Sequence, residues 1–391
     1  MNHDNRERLI AEASKIRDIN MRHKYLKTQR INDEDINGIL DDVHYRTRGR
    51  DKFPRASKMR FTRDGLAMAT GKAVAEYRTW KIRKQLGRVR KALDACTGIG
   101  GDTIAMALRW PVVSVEIDPE IIEILRHNIE VYDVQDRVEI VQGDITKLVN
   151  DEGFKSKLDE VDVIFFDPSR RGDGGRTVKT EEYVPPLSFI DELLTLCPNL
   201  CVKISPGTDL DRIRYDCDIE VISNRGEAKE VVLWFGKLKL DQEAKTVLAT
   251  KLPEKMTMER DTHVRNEITQ VKNYLFEPDP AYIKARLIDT LAQCFELTQI
   301  HPKIAYLTGD ERLRIPVLKT YEVMKVTSLD PDEINAALRE LGIGRVDFKA
   351  RGVRVDMKGI HKRIHGEGRR RGLVVFTVVG KNDAAIICSY A

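Results

Sequence analysis

Apolar and polar positions alternate along this chain in two distinct rhythms. Residues 5–43 repeat apolar side chains at helical spacing and read as amphipathic helix. Residues 44–63 are rich in lysine and arginine and read as a basic loop or arm. The stretch 63–86 reads as helix, with Gly87 as its stop. The rhythm then changes to short apolar runs: 92–95, 112–117, 138–142, 161–166 and 200–204, with helical stretches between them. That alternation predicts βαβ units and a parallel sheet covered on both faces. Two further runs, 219–223 and 230–236, are separated only by the polar turn "NRGEAK", so they pair as an antiparallel hairpin.

Beyond Lys237 the pattern thins. A strand and loop fit 245–264, and "EPDP" opens a helix over 281–295. From about Arg312 the chain predicts a small α+β domain: strand 321–326, helix 331–341, strand 345–349, basic segment 358–371, and strands 373–379 and 384–389. The expected division is an N-terminal helical and basic segment (1–86), an α/β domain (87–240), a connecting region (241–311) and a basic α+β domain (312–391).

Charge changes this picture. The net charge is only +4, but it is segregated. His44–Lys91 carries 16 Lys/Arg against 3 Asp/Glu, and Leu341–Ala391 carries 11 against 4. Two basic segments around an acidic middle suggest a polyanion partner. No run of 18 apolar residues is present, so no membrane span is expected. The N-terminus lacks an apolar signal core. Six scattered cysteines do not suggest a disulfide framework. The expected setting is the reducing cytoplasm.

"ALDACTGIGGDT" (92–103) reads as strand, glycine turn and helix start. Gly98 and Gly100 permit a tight turn and close ligand approach at the carboxyl end of the first strand. Glu116 ends the second strand, where an acid accepts hydrogen bonds from ribose hydroxyls, with Asp118 beside it. Asp144 follows the third strand, where an acid contacts an adenine amine. Asp94 ends the first strand and faces the amino-acid part of such a ligand. Cys96 lies inside the turn as a small packing residue. A dinucleotide fingerprint needs glycine where Thr103 stands, and Asp102 opposes a pyrophosphate. S-adenosylmethionine has no phosphate and tolerates acids around its sulfonium, so it is the expected cofactor, ahead of NAD or an empty structural sheet. Five parallel strands ending in an antiparallel hairpin resemble the Rossmann-like sheet of class I methyltransferases.

The fourth strand ends at Asp167 in "DPSRRGDGG". Methyltransferases acting on amino groups carry (D/N/S)-P-P-aromatic there. The acid and the proline-turn carbonyl take the N–H bonds of a conjugated amine and aim its lone pair, and alignment supplies much of the rate. Here Asp167 and Pro168 keep the pattern. Ser169 replaces the second proline, and Arg170 replaces the aromatic. Arginine lies flat on a base or grips a phosphate. An exocyclic amine and a ring nitrogen such as guanine N7 both remain open as targets. Ser169, Arg171 and Lys203, the last in "KISPG", are expected to meet substrate.

The run "DACTGIGGDTIAMAL … VVSVEIDPEIIEILRHNIEVYDVQDRVEIVQGDI" resembles the RNA-cap guanine-N2 methyltransferases, the trimethylguanosine synthase family. "FTRDGLAMATGKAVAEY" resembles that family's pre-catalytic helix, which helps close over the cofactor. The likeness spans roughly residues 58–190. It implies Asp94, Gly98 and Gly100 at the cofactor turn, Glu116 and Asp118 at the ribose, and Asp144 at the adenine. "EPDPAYIKA", "AYLTGDERL" and the basic tail resemble the THUMP-like domain that accompanies such enzymes. A cap substrate does not carry over, because the stacking aromatic is missing.

Other features have plainer readings. Cys197, Cys201 and Cys217 lack a fourth zinc ligand and read as core. No cysteine stands by the fourth strand for covalent cytosine chemistry. His361 and His365 sit in a basic stretch and suit phosphate better than metal. No metal is expected. The sequence predicts a methyltransferase of RNA, tRNA foremost, with a protein or small-molecule methyltransferase and a non-catalytic RNA-binding module as alternatives.

Overall fold

Short polar side chains start the N-terminal helices. Asn2, Asp18 and Asn32 accept the backbone N–H of Asn5, Met21 and Asp35 at the starts of α1 (His3–Lys15), α2 (Ile19–Thr28) and α3 (Asp33–Gly49). These caps satisfy donors that no helical carbonyl reaches. Leu9, Ile10 and Ala13 meet Leu26, Ile36, Ile39 and Val43 in one apolar cluster. The computed structural model describes the backbone of residues 1–172 and 175–391, and side chains throughout these except at His3 and residues 171, 172, 175 and 176. Its packing divides the chain into two units, Met1–Asp218 with Val232–Lys245, and Ile219–Val231 with Thr246–Ala391.

In the first unit, residues 44–63 are not a free arm. Phe53, Ala56, Met59 and Phe61 are buried, and several cations serve the fold. Arg46 donates to both carboxylate oxygens of Glu7 at 2.7 Å. Arg55 meets Asp133 at 2.7 Å. The helix expected over 63–86 is broken in two, α4 (Arg63–Met68) and α5 (Lys72–Leu86). Lys52 explains the break: its ammonium donates to the carbonyls of Leu66, Ala67 and Ala69, which end α4 without helical partners. Gly87, with φ of 71°, stops α5 as expected.

Beyond Gly87 the chain enters the sheet. Its strands are β1 (Lys91–Asp94), β2 (Val112–Glu116), β3 (Val138–Gln142), β4 (Val161–Phe166), β5 (Arg171–Gly172), β6 (Gly175–Arg176), β7 (Leu200–Ile204), β8 (Asp218–Asn224) and β9 (Glu227–Trp234). Among the described residues β5 and β6 pair only with each other. In the first unit the order is β3-β2-β1-β4-β7. β1 pairs parallel with both β2 and β4, and β4 with β7. Helices α6 (Gly101–Ala107) and α7 (Pro119–Val131) follow β1 and β2. The strand order reverses between β1 and β4, and the carboxyl ends at such a reversal form a crevice.

In the second unit β8 and β9 form the expected hairpin. Its two turn residues, Arg225 and Gly226, have φ of 54° and 77°, the backbone that matches strand twist. β10 (Val247–Leu252) lies parallel to β8, and β11 (Met256–Glu259) is antiparallel to β10. A separate seven-stranded sheet uses β12 (Tyr274–Pro278), β13 (Thr298–His301), β14 (Ile304–Gly309), β15 (Leu318–Thr327), β16 (Ile343–Ala350), β17 (Arg370–Val379) and β18 (Asn382–Tyr390). Its order is β13-β14-β12-β15-β18-β17-β16. The stretch 241–311 is thus stranded rather than a connector. The helix expected over 281–295 is two short helices, Pro280–Lys284 and Ile288–Cys294, separated at Arg286, whose φ is 59°. The basic segment contains a further helix, Met357–Arg363. Among the described residues no helix is long and apolar enough to cross a membrane, and the six cysteines are free.

Candidate active site

β1 runs into the turn Ala95–Gly100, which needs two left-handed residues. Gly98 has φ of 56° and Gly100 has φ of 92°, and a Cβ on Gly100 would lie 2.7 Å from Leu125 Cδ1. A Cβ on Gly98 would meet only open space, so backbone conformation alone calls for glycine there. From upstream, α4 closes on the same turn. A Cβ on Gly65 would approach Ile99 Cγ2 to 2.5 Å, and one on Gly101 would approach the Thr70 carbonyl to 2.9 Å.

These elements enclose a cavity of about 550 Å³. Met68, Ala69 and Thr70 form one wall, so the segment expected to help close the site does line it. Cys96, Gly98, Glu116, Asp118 and Asp144 form another. Glu116 is held firmly: Oε2 accepts the Gly98 N–H at 2.8 Å, and Oε1 accepts those of Ile117 and Asp118 at 2.9 and 3.1 Å. Asp118 caps α7 through the N–H of Glu120 at 2.8 Å. Asp144 accepts the N–H and hydroxyl of Thr146 at 3.0 and 2.7 Å. Burial, with the charge of Asp94 next, pushes the Cys96 thiol well above its ordinary value, consistent with an inert packing role.

Asp94 departs from the expected placement. It is fully buried and does not line the cavity. Oδ2 accepts the Thr103 hydroxyl at 2.6 Å, whereas Oδ1 is buried without a hydrogen-bond partner. Burial pushes its carboxyl up to about 8, the Thr103 bond opposes this, and Asp102 and Asp167 add to it. The reason is local packing: Asp94 stands opposite Ser114 in the sheet, and Thr103 of α6 hydrogen-bonds to both. Gly100 likewise lies outside the lining and serves the turn.

The Asp167–Arg170 turn completes the cavity. Asp167, Pro168, Ser169 and Arg170 all line it, as does Lys203. Ser169 and Val184 exchange two backbone hydrogen bonds at 2.9 Å, which brings Val184, Pro185 and Pro186 to the wall. Lys203 differs from expectation: its ammonium pairs with Asp167 Oδ2 rather than standing open for phosphate. The side chain of Arg171 lies outside the described residues, as does the middle of the "GDGG" loop.

Two partners escape local sequence reading. Arg78 of α5, 2% exposed, pairs with Asp102 in the cavity wall and stacks over Phe165 at 4.5 Å. Tyr183 does not line the cavity, but its buried hydroxyl accepts the Ser205 N–H at 3.2 Å and holds the segment beside the Val184–Pro186 wall. Only the proline pair marks that wall in the sequence. An acid-lined cavity over an apolar floor suits a ligand with positive charge and hydroxyls, and opposes free phosphate.

Residues 89–184 match the family model of RNA cap guanine-N2 methyltransferases, and residues 318–390 that of THUMP domain-like segments. An uncharacterized S-adenosylmethionine-dependent methyltransferase of Mycobacterium tuberculosis is 28% identical over 341 residues, 85% of this chain and 88% of that one. The trimethylguanosine synthase of Schizosaccharomyces pombe is 29% identical over 158 residues, 39% of this chain and 62% of the synthase. A putative methyltransferase from Porphyromonas gingivalis W83 shares the fold, with a TM-score of 0.79 at 19% identity over 100% of this chain and 99% of that one. The chain therefore joins a Rossmann-like methyltransferase domain, resembling the RNA cap guanine-N2 methyltransferases, to a THUMP-like domain.

Proposed function

We propose that this chain methylates a base nitrogen of RNA, a guanine of tRNA foremost, using S-adenosylmethionine in the cytoplasm. The observation that carries the reading is the meeting of Asp167, Pro168 and Arg170 with Gly98, Glu116 and Asp144 around one cavity. When bound, S-adenosylmethionine supplies an electrophilic methyl group on a sulfonium. The open space at Gly98 and the ring of acids fit that ligand. Glu116 and Asp118 take the ribose hydroxyls, and Asp144 takes the adenine amine. Asp94 acts from beneath, through the geometry of the turn.

Asp167 and the Pro168 carbonyl orient the target base, at either an exocyclic amine or ring nitrogen 7. Arg170 stacks on that base or grips its phosphate. Residues 312–391 hold the RNA backbone with exposed cations, among them Arg354, Lys362, Arg363, Arg369 and Arg370. The test joins calorimetry of S-adenosylmethionine binding to mass spectrometry of nucleosides in RNA from cells lacking the gene. One methylated guanosine should vanish from that RNA and return when the purified protein is added together with S-adenosylmethionine. Tight cofactor binding with an unchanged nucleoside profile would refute the RNA substrate.

A further inference from the structure

β4 and β7 run parallel, with Phe165 opposite Cys201 and Phe166 opposite Val202. The next pair along this register is Asp167 and Lys203, both in the cavity wall. Their side chains are 24% and 8% exposed, and the Lys203 ammonium contacts Asp167 Oδ2. A lysine buried this deeply needs a partner to offset its lost hydration, and Asp167 is that partner. A lysine serving RNA phosphate would present its charge outward instead. The segment after β7 is also held, since the Tyr183 hydroxyl accepts the Ser205 N–H and Thr208 donates to the Val178 carbonyl.

We propose that Lys203 is a positioning residue: it grips Asp167 by Oδ2 so that Oδ1 is the one oxygen presented to an N–H of the target base. The proposal rests on Asp167 being the acceptor for that base. An aspartate free to rotate offers either oxygen at many angles, whereas one pinned by a strand-borne lysine offers a fixed acceptor. In the transfer, the nitrogen lone pair forms the N–C bond and the C–S bonding pair remains on sulfur. Where the attacking nitrogen is an exocyclic amine, its surplus proton leaves along the hydrogen bond to Oδ1 and passes to solvent; where it is ring nitrogen 7, no proton leaves and Oδ1 holds a neighbouring N–H of the same base. Nothing in this step needs Lys203 to give up a proton. Its part is alignment, where an error of about 1 Å costs on the order of 100-fold.

The experiment is a double-mutant cycle on the full chain: wild type, K203M, D167N and the double variant. The substrate is total RNA from cells lacking the gene, with methyl-labelled S-adenosylmethionine. K203M should lower kcat by roughly 10- to 100-fold. Its KM for RNA and its calorimetric Kd for S-adenosylmethionine should stay within about threefold of wild type. In the D167N background the same change should alter kcat by less than about threefold, because the carboxylate to be positioned is gone. An equal loss in both backgrounds overturns the proposal. So does a loss that appears as weaker RNA binding with a salt slope shallower by about one contact, which would make Lys203 a phosphate ligand. Where K203M melts early, K203R takes its place in the same cycle under the same criterion. If wild type binds no S-adenosylmethionine or transfers no label, the enzymatic reading itself falls. If wild type is active and the cycle is additive, only the role of Lys203 falls.

Discussion

Replacing Asp94 with asparagine removes a charge that the fold accommodates poorly. The carboxyl is fully buried, with the Thr103 hydroxyl on one oxygen and nothing on the other. Asp102 from α6 and Asp167 from the end of β4 crowd it with like charge, and Arg78 from α5 relieves it in part. Burial lifts the carboxyl from 3.8 to about 8. Between those values the folded chain holds a proton that the unfolded chain has lost. Stability therefore falls as pH rises across that window, by about 1.4 kcal/mol per pH unit. Ionising the group fully above pH 8 costs on the order of 5 kcal/mol. The asparagine side chain of D94N keeps an oxygen for Thr103 and never ionises. Thermal unfolding of wild type and D94N, followed from pH 5 to 9, should show a gap that widens with pH in favour of the variant. Each kcal/mol corresponds to roughly 2–4 °C for a unit of this size. A gap that stays constant across the range would refute the reasoning, since it would mean that Asp94 does not change charge there.

Glu116→Ala should weaken S-adenosylmethionine binding by about 1–3 kcal/mol in calorimetry; unchanged affinity would leave Glu116 as a clasp for the Gly98, Ile117 and Asp118 amides alone. Arg170→Lys keeps charge but loses the planar fork, so its turnover should be nearly as low as that of Arg170→Ala; full activity would reduce Arg170 to a point charge. Deleting residues 341–391 would remove β16, β17 and β18 from their sheet, so the basic tail is better tested by substitution. Neutralising the exposed Lys362, Arg363, Arg369 and Arg370 together should weaken RNA binding and flatten its salt dependence, while leaving cofactor affinity unchanged. An identical salt slope would exclude these four from the RNA interface.

The inner strands of the central sheet are legible because they are buried on both faces and read as apolar runs, as at Val163–Phe166 and Leu200–Val202. Glu116, Asp144 and Asp167 are legible because each stands at or just after the carboxyl end of a strand. What local patterns miss is contact across the chain. Lys203 and Asp167 stand 36 residues apart, and only the β4–β7 register makes them neighbours. Asp94 ends a strand just as Glu116 does, yet α6 covers one while the other opens to the cavity. The basic run 44–63 misleads because charge counts do not distinguish an exposed cation from Arg46, 6% exposed on Glu7. In the second unit, β12 to β14 are strands of four to six residues with little alternation, and Arg286 splits the helical pattern between them.

The fit of α4 against the glycine turn has a consequence for modularity. Gly65 lies against Ile99, and Gly101 against Thr70, with no room for a single added carbon. The upstream segment and the sheet are thus one part in the engineering sense, cut to each other rather than bolted together. A fragment beginning at Gly87 would carry every acid of the cavity but none of the wall from Gly65 to Thr70, and its ligand would sit open to water on that side. The sheet and α4 therefore have to change together: a larger residue at Gly65 or Gly101 calls for a compensating change on the facing segment.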